Sequence, residues 1–336
     1  MEMIQGIREI FTHELKHRNL APSILPEEHI QLRRRWYTTP CTDHSGKKYM
    51  FKGLLAASEK YRLEREIRFN RFLKKIQIYK NLNTQKLAHS KISKNSTWIL
   101  LEFIPGKPCG LYFDFTQGAD NKAYIEQFAH NITELQKIPA SNAKKIDATL
   151  RTRLAPYYIS QLEGFRSEIM EVIPQKTYNI AIQKILENTE LFKKNLVLAH
   201  GDTALSNHIL GTDKKIYLMD WEQCHVDNIA FDPCFLWIQT WKNHSWRKDF
   251  LKEYAKKIEN VPLFKKLIPI MMLYFSLREI GLWVRSKHDK RSWSVIEGKK
   301  TALIDPRKIQ NRQALVSHKK TLSRSLARPL SFLQNV

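Results

Sequence analysis

A chain of 336 residues, 43% hydrophobic and 11% aromatic, can bury a substantial core in one large or two moderate domains, which excludes a disordered protein. Eleven Gly, thirteen Pro and no repeat at a fixed period exclude collagen-like, low-complexity and solenoid architectures. The formal charge of +23 divides into +11 over residues 1–110, −3 over 111–240 and +15 over 241–336; this suits a middle segment with carboxylates for a metal between flanks that meet something anionic, or equally a solvated Lys-rich surface.

Ile4, Ile7, Ile10, Phe11 and Leu15 recur at helical spacing and predict an N-terminal helix stopped by Pro22 and Pro26. Glu2 and Glu9 flank a stretch with no apolar run and no small-residue cleavage site, so no secretory signal is expected. Strands are expected over 30–37 and 48–55, joined by a turn at 42–46, followed by a helix over 58–76 and a buried strand over 97–104 that Pro105-Gly106 stops. The first hundred residues therefore read as a small antiparallel sheet with one long helix. Helical periodicity then dominates, over 124–138, 150–173, 178–193 and 246–284. The most apolar stretch, 267–284, contains Pro269, Arg278 and Glu279 and is too short an uninterrupted run to span a membrane, so a buried helix is expected. The last 40 residues are basic and weakly patterned. Four widely spaced cysteines with no C-x-x-C pair suit a reducing compartment, and the expected location is the cytoplasm.

One β-rich island interrupts the helical half, at 196–202, 208–210 and 215–220. His200-Gly201-Asp202 closes its first strand, Asn207 stands five residues after the Asp, and Asp220 ends the third strand. Three oxygen-bearing side chains at strand ends and in a loop can converge. An Asn and an Asp suit Mg²⁺, a hard cation usually held by one or two carboxylates plus phosphate oxygens. The first Asp, outside the metal shell, can then accept a proton from an attacking hydroxyl. A zinc site from His200, His208 and His225 lacks any H-E-x-x-H-like spacing.

The order His200-Gly201-Asp202, Asn207, Asp220-Trp221-Glu222 and Asp232-Pro233 resembles the aminoglycoside phosphotransferase and choline kinase family, specifically over 197–237 and diffusely elsewhere. The resemblance implies a two-lobed, protein-kinase-like α+β fold: a nucleotide-clamp lobe over 1–105 with a small antiparallel sheet and one long helix, a larger helical catalytic and acceptor-binding lobe over 106–300, and a basic tail over 301–336. It implies ATP and Mg²⁺ as cofactors, Asp202 as the catalytic base, Asn207 and Asp220 as metal ligands, and His200 and Asp232 as braces of the loop. Glu222 is open between a contact to a second metal or substrate and a structural acid.

The clamp needs a strand lysine, and Lys52, between apolar neighbours, is the candidate. Glu66 on the following helix is its expected carboxylate partner, with Glu64 the competitor. Backbone groups near Glu102, Phe103 and Ile104 would hold an adenine edge. One departure stands out: residues 37–47, read as the turn over the phosphates, offer Thr38, Thr39 and Thr42 but only Gly46, which suits a hairpin turn better. The family implies a small-molecule hydroxyl as acceptor, and the +23 charge favours a neutral or anionic one. Trp237, Trp241, Trp246, Trp283 and Trp293 could stack on it or belong to the core. Two other readings stay open. One is a catalytically silent nucleotide-binding scaffold. The other is a nucleic-acid or anionic-membrane binder acting through Arg33–Arg35, 287–291 and 319–328, for which no nucleic-acid motif is present.

Overall fold

The computed structural model describes residues 13, 15–22, 36–54, 57–77, 80–94, 96–111, 114–116, 118–288, 294–296, 299–301 and 306–327. Most of the expected N-terminal helix, residues 30–35 of the first expected strand, the Arg33–Arg35 stripe and Trp293 lie outside these. Two compact units make up the chain. The first takes residues 1–105, 220–223 and 291–303; the second takes 106–219, 224–290 and 304–336.

In the first unit, β1 (Leu20–Pro22), β2 (Trp36–Asp43), β3 (Lys48–Leu54), β4 (Leu87–Ile92) and β5 (Thr97–Glu102) form an antiparallel sheet in the order β1-β2-β3-β5-β4. Side chains alternate along β2, so Tyr37, Thr39 and Cys41 turn inward while their neighbours stay half-buried. On one face Tyr37, Cys41, Phe51, Trp98 and Leu100 pack with Leu15 and Leu20. Covering the other is α1 (Lys60–Lys75), whose Leu63 and Ile67 meet Leu87, Ile99 and Leu101. That double coverage explains the unbroken apolar run of β5, whose first five residues are all buried. Trp221 joins this unit by stacking on Phe69 at 4.8 Å and donating its indole N–H to Thr84 at 3.1 Å. Strand β4 went unforeseen because its middle reads His89-Ser90-Lys91, the polar pattern of a sheet edge.

The second unit contains two small sheets. β6 (Gly106–Pro108), β10 (His208–Gly211) and β11 (Ile216–Leu218) run in the order β11-β10-β6, and β9 (Leu196–Ala199) pairs with β12 (His225–Asn228). A short hairpin of β7 (Gly110–Leu111) and β8 (Asp114–Phe115) follows β6. Around them lie α2 (Ile125–Gln136), α3 (Ala155–Glu163), α4 (Arg166–Met170), α5 (Gln175–Glu187), α6 (Phe231–Gln239), α7 (His244–Ala255), α8 (Val261–His288) and α9 (Pro306–Ala327). The expected 150–173 helix is split into α3 and α4 at Gly164-Phe165, and the 246–284 helix into α7 and α8.

Helix α8 is apolar around its circumference because it runs through the core, with Leu267, Ile268, Met271, Met272, Phe275 and Ile280 fully buried. Residues 261–285 are long and apolar enough to cross a membrane by composition, but 83% of the most apolar window is buried inside the protein. Helix α9, where the sequence reads as a weakly patterned tail, packs on α8. Its buried positions are His318, Thr321, Leu322 and Ser325, a helical spacing hidden by their polarity. Cys41, Cys109, Cys224 and Cys234 are all buried, and none of them is in a disulfide.

Candidate active site

Lys52 lies mid-strand in β3, opposite Thr38 and Ile99, and is almost fully buried. Its ammonium contacts Glu66 of α1 at 2.7 Å, Asp220 at 2.8 Å and Glu222 at 3.6 Å, and sits 4.9 Å from the centre of the Trp36 ring. Glu64, the competing partner, instead pairs with Arg68 at 2.9 Å and Lys60 at 3.8 Å. Burial pulls the Lys52 ammonium down, but Asp220, Glu66 and Glu222 together hold it above its ordinary value. Glu66 is pushed above the carboxylate range by burial, with Lys52 opposing.

Asp220 adopts φ +67°, in the left-handed region that an L-residue enters at a cost. The following Glu222 is held by its carboxylate, 3.6 Å from Arg62, and by its carbonyl, which accepts from Arg65 at 3.5 Å.

The expected adenine-binding backbone lies at the end of β5. Glu102 donates its N–H to Lys86 at 2.8 Å, its carbonyl accepts from Gln85 at 3.4 Å, and its carboxylate pairs with Lys47 at 2.8 Å. Phe103 spends its N–H on the Lys48 carbonyl. Ile104, by contrast, has no backbone hydrogen bond among the described residues. Residues 37–47, expected over the phosphates, form β2 and its hairpin to β3. There Asp43 Oδ1 accepts from the amides of Ser45 and Lys47, both at 2.9 Å, and from the Ser45 hydroxyl at 2.7 Å. Gly46, at φ +81°, serves the turn. Those amides are therefore already satisfied within the hairpin, which removes them as a phosphate cradle.

In the second unit, strand β9 delivers His200-Gly201-Asp202. Gly201 turns the chain at φ +84°, a conformation that glycine adopts without strain. The Asp232 carboxylate, at the start of α6, accepts the N–H groups of His200 at 2.7 Å and Gly201 at 3.0 Å, while the Asp232 carbonyl takes the Thr203 hydroxyl at 3.0 Å. The Asp202 N–H points to His200 Nδ1 at 3.2 Å, so Nδ1 is the acceptor and Nε2 carries the proton, donating to the Met219 carbonyl at 2.8 Å. Asn207 donates its Nδ2 to the Asp202 carbonyl at 2.8 Å, leaving its amide oxygen as an acceptor. Burial raises Asp232 to about 7, against the two N–H bonds that lower it.

Beside the loop, Asp227 accepts from Tyr158, from the Asn228 N–H at 2.7 Å and from the Asn228 amide at 2.8 Å, and its other oxygen meets His225 Nε2 at 2.9 Å. Burial pushes Asp227 to about 7. No sequence motif pointed to this network, because Tyr158 of α3 meets Asp227 of β12 from 69 residues away. His208, fully buried against Phe128 at 4.8 Å, bonds the Ala204 carbonyl at 3.0 Å, and burial lowers it to about 3. Among the described residues no group of three His, Cys, Asp or Glu side chains is disposed to hold a metal by itself.

The family model for the phosphotransferase enzyme family matches residues 42–264, about two thirds of the chain. The chain belongs to this family. No curated protein sequence matches it. Among solved structures, it resembles an amicoumacin kinase in complex with AMP-PNP, Ca²⁺ and Ami, with 15% identity, TM-score 0.60 and 99% of each chain covered. It also resembles the macrolide 2'-phosphotransferase MphH of Brachybacterium faecium, with 13% identity, TM-score 0.59, and 95% of this chain and 99% of that one covered. The choline kinase LicA of Streptococcus pneumoniae aligns with 14% identity, TM-score 0.57, and 96% and 99% covered. At these identities the likeness establishes a shared kinase-like fold.

The family motif therefore falls on two groups of residues. Lys52, Glu66 and Asp220 meet within the first unit, with Glu102 and Ile104 at the end of its sheet. Asp202 and Asn207 share one braced loop in the second. Sequence reasoning did not find that Arg62 and Arg65 anchor Glu222, although their position one turn apart on α1 is visible in the string.

Proposed function

We propose that this family member is an ATP- and Mg²⁺-dependent kinase that moves the γ-phosphoryl group to a hydroxyl of a small molecule. The observation that carries this reading is the buried Lys52 ammonium between Glu66 and Asp220, with Asp220 held in left-handed backbone. Three carboxylates around one ammonium leave an excess of negative charge, which a divalent metal carried in with a nucleotide would balance.

The residues fit such a group. Asp220 is about one third exposed, and Asn207 keeps an amide oxygen, so the available donors are the hard oxygens that Mg²⁺ prefers alongside phosphate. When bound, Mg²⁺ supplies charge neutralisation on the phosphate oxygens. Lys52 orients the α- and β-phosphates, and Glu66 keeps the lysine in place. The Glu102 carbonyl and the Ile104 N–H take the adenine edge. Asp202 accepts the proton of the acceptor hydroxyl as its oxygen bonds to the γ-phosphorus and the bond to the ADP oxygen breaks. His200 and Asp232 hold the backbone that presents Asp202.

The acceptor is a neutral or anionic alcohol, as the +23 charge favours. The solved relatives named for amicoumacin, macrolide and choline chemistry support a small-molecule acceptor in general. The test is transfer of label from γ-³²P-ATP with Mg²⁺ to a panel of amino alcohols, neutral and acidic sugars, nucleosides and aminoglycosides, with Asp202→Ala in parallel. Label on one acceptor class, lost in the variant, is the expected result. Bound ATP with no transfer to any acceptor would favour the silent-scaffold reading instead.

A further inference from the structure

Beside the Asp202 loop, in the second unit, aromatic faces that could receive a cationic acceptor already carry the protein's own cations. The Arg153 guanidinium, just before α3, lies 4.6 Å from the centre of the Tyr157 ring and 5.7 Å from that of Phe231. Arg278 of α8 lies 5.3 Å from the centre of Phe235. Ring contacts join the two arginines by two routes. Phe275 of α8 meets Phe231 at 5.1 Å and Phe235 at 5.3 Å. On the second route Tyr157 adjoins Tyr158 at 5.9 Å, Tyr158 packs on Tyr274 at 4.6 Å, and Tyr274 stands one turn before Arg278 on α8.

This aromatic circuit adjoins the proposed base through the first turn of α6, which contains Phe231, Asp232 and Phe235. The Asp232 carboxylate takes the N–H groups of His200 and Gly201 and its carbonyl takes the Thr203 hydroxyl, so the residues on both sides of Asp202 are tied to that turn. Arg278 also reaches Asp202 electrostatically: burial opposes its charge, while Glu279, Tyr274 and Asp202 hold it above its ordinary value.

The two cations are only partly balanced within the chain. Arg278 pairs with Glu279 at 2.9 Å, but Glu279 is buried while 28% of the Arg278 side chain stays exposed, so the cation is what meets solvent. Arg153 is half-buried and makes no ion pair among the described residues. The acids it reaches electrostatically are spent elsewhere, Asp227 on Tyr158, Asn228 and His225, and Asp232 on the His200 loop. Two consequences follow for a ligand. The attraction that would draw an ammonium onto Tyr157, Phe231 or Phe235 is already taken by a guanidinium. An acceptor with an acid group of its own, which Asp202 would otherwise repel, meets arginine forks that match carboxylate oxygens.

We propose that Arg278 and Arg153 select an acceptor that carries a carboxylate as well as its hydroxyl, a hydroxy acid or sugar acid, with Arg278 the main contact. That the bound acid is the phosphoryl acceptor rests on the kinase function proposed above; the preference for an acid does not.

The experiment compares three matched sets of compounds on the full chain: glucuronate, galacturonate and glycerate; glucose, galactose and glycerol; glucosamine, galactosamine and serinol. Titration calorimetry reads binding, and label transfer from γ-³²P-ATP with Mg²⁺ reads kcat/KM. An acid should bind about tenfold or more tighter than its neutral counterpart, and the amine weaker still. Arg278→Gln should remove about tenfold or more of the acid affinity and Arg153→Gln a smaller share. Arg278→Glu should turn the preference toward the amine, which a purely structural role of Arg278 would not do. Should Arg278→Glu fail to fold, the two Gln variants decide. Arginine-dependent binding of an acid that never takes label would keep the acid site and count against the kinase reading. Label on a neutral or amine compound, with kcat/KM equal to or above that of the acids, would leave the kinase reading standing and overturn the selection. Acid affinity unchanged in both Gln variants, or no acid bound at all, would overturn it as well.

Discussion

The two groups of site residues are held by different forces. Around Lys52, one ammonium answers to three carboxylates, Glu66, Asp220 and Glu222, so charge sets the geometry. Around Asp202, nearly every link is a hydrogen bond of fixed direction: two N–H groups into the Asp232 carboxylate, a neutral imidazole between the Asp202 N–H and the Met219 carbonyl, and the Asn207 amide closing the loop. Ion pairs tolerate a change of partner, whereas a network of directed bonds does not. The difference matches the proposed roles, because a nucleotide clamp must exchange partners when its ligand arrives and a catalytic base must already be in place.

Breaking the rigid group should cost the most. Asp202→Ala is expected to lower turnover by ~10²–10⁴-fold with ATP binding retained, measured by label transfer and by nucleotide titration side by side. Asp220→Ala should lose Mg²⁺-dependent nucleotide binding along with turnover; equal ATP affinity in the two variants would dissolve the distinction between the groups. Next comes the charge-held group, where Lys52→Met removes a charged partner worth about 2 kcal/mol, roughly 30-fold in kcat/KM. Glu66→Gln should follow it in direction, while Glu64→Gln, whose partners are Arg68 and Lys60, should change kcat/KM by less than about twofold.

Smaller effects sharpen the contrast through stability. Asp227 and Asp232 sit in the hydrogen-bonded region, and burial carries both from an ordinary 3.8 to about 7. Between those values the folded carboxyls keep protons that the unfolded chain has lost, so stability falls as pH rises through the window and levels off above it. Asp227→Asn should remove about half of this slope in urea midpoints measured from pH 4 to 8. A slope unchanged by the substitution would mean that Asp227 titrates normally. The least costly break is Gly201→Ala, whose added Cβ at φ +84° should cost about 1–2 kcal/mol in the same unfolding measurement.

Much of this was legible in the string, and what was not has physical causes. Strands β3 and β5 showed themselves as apolar runs ended by turn residues, and α1 as Leu63, Ile67 and Leu73 at helical spacing. Asp202, Asn207 and Asp220 stand out in the sequence because their order and spacing are local. The left-handed backbone of Asp220 and the capture of Glu222 by Arg62 and Arg65 depend on where 220–223 pack, which no local pattern records. Strand β4 was missed because an edge strand needs only one buried side, and α9 because small polar residues occupy its buried face. Within 37–47, the capture of the Ser45 and Lys47 amides by the Asp43 side chain is likewise a local detail that no spacing records.

The buried cysteines give the protein an internal clock. Cys41 belongs to the first unit, and Cys109, Cys224 and Cys234 to the second. Burial raises Cys41 and Cys109 to about 12 and Cys234 well above the ordinary thiol value, so these thiols are protonated and shielded while their surroundings stay folded. Under mild denaturant, a coloured disulfide reagent would therefore react in instalments of one and three, and the order in which the instalments appear would tell which half of the chain lets go first.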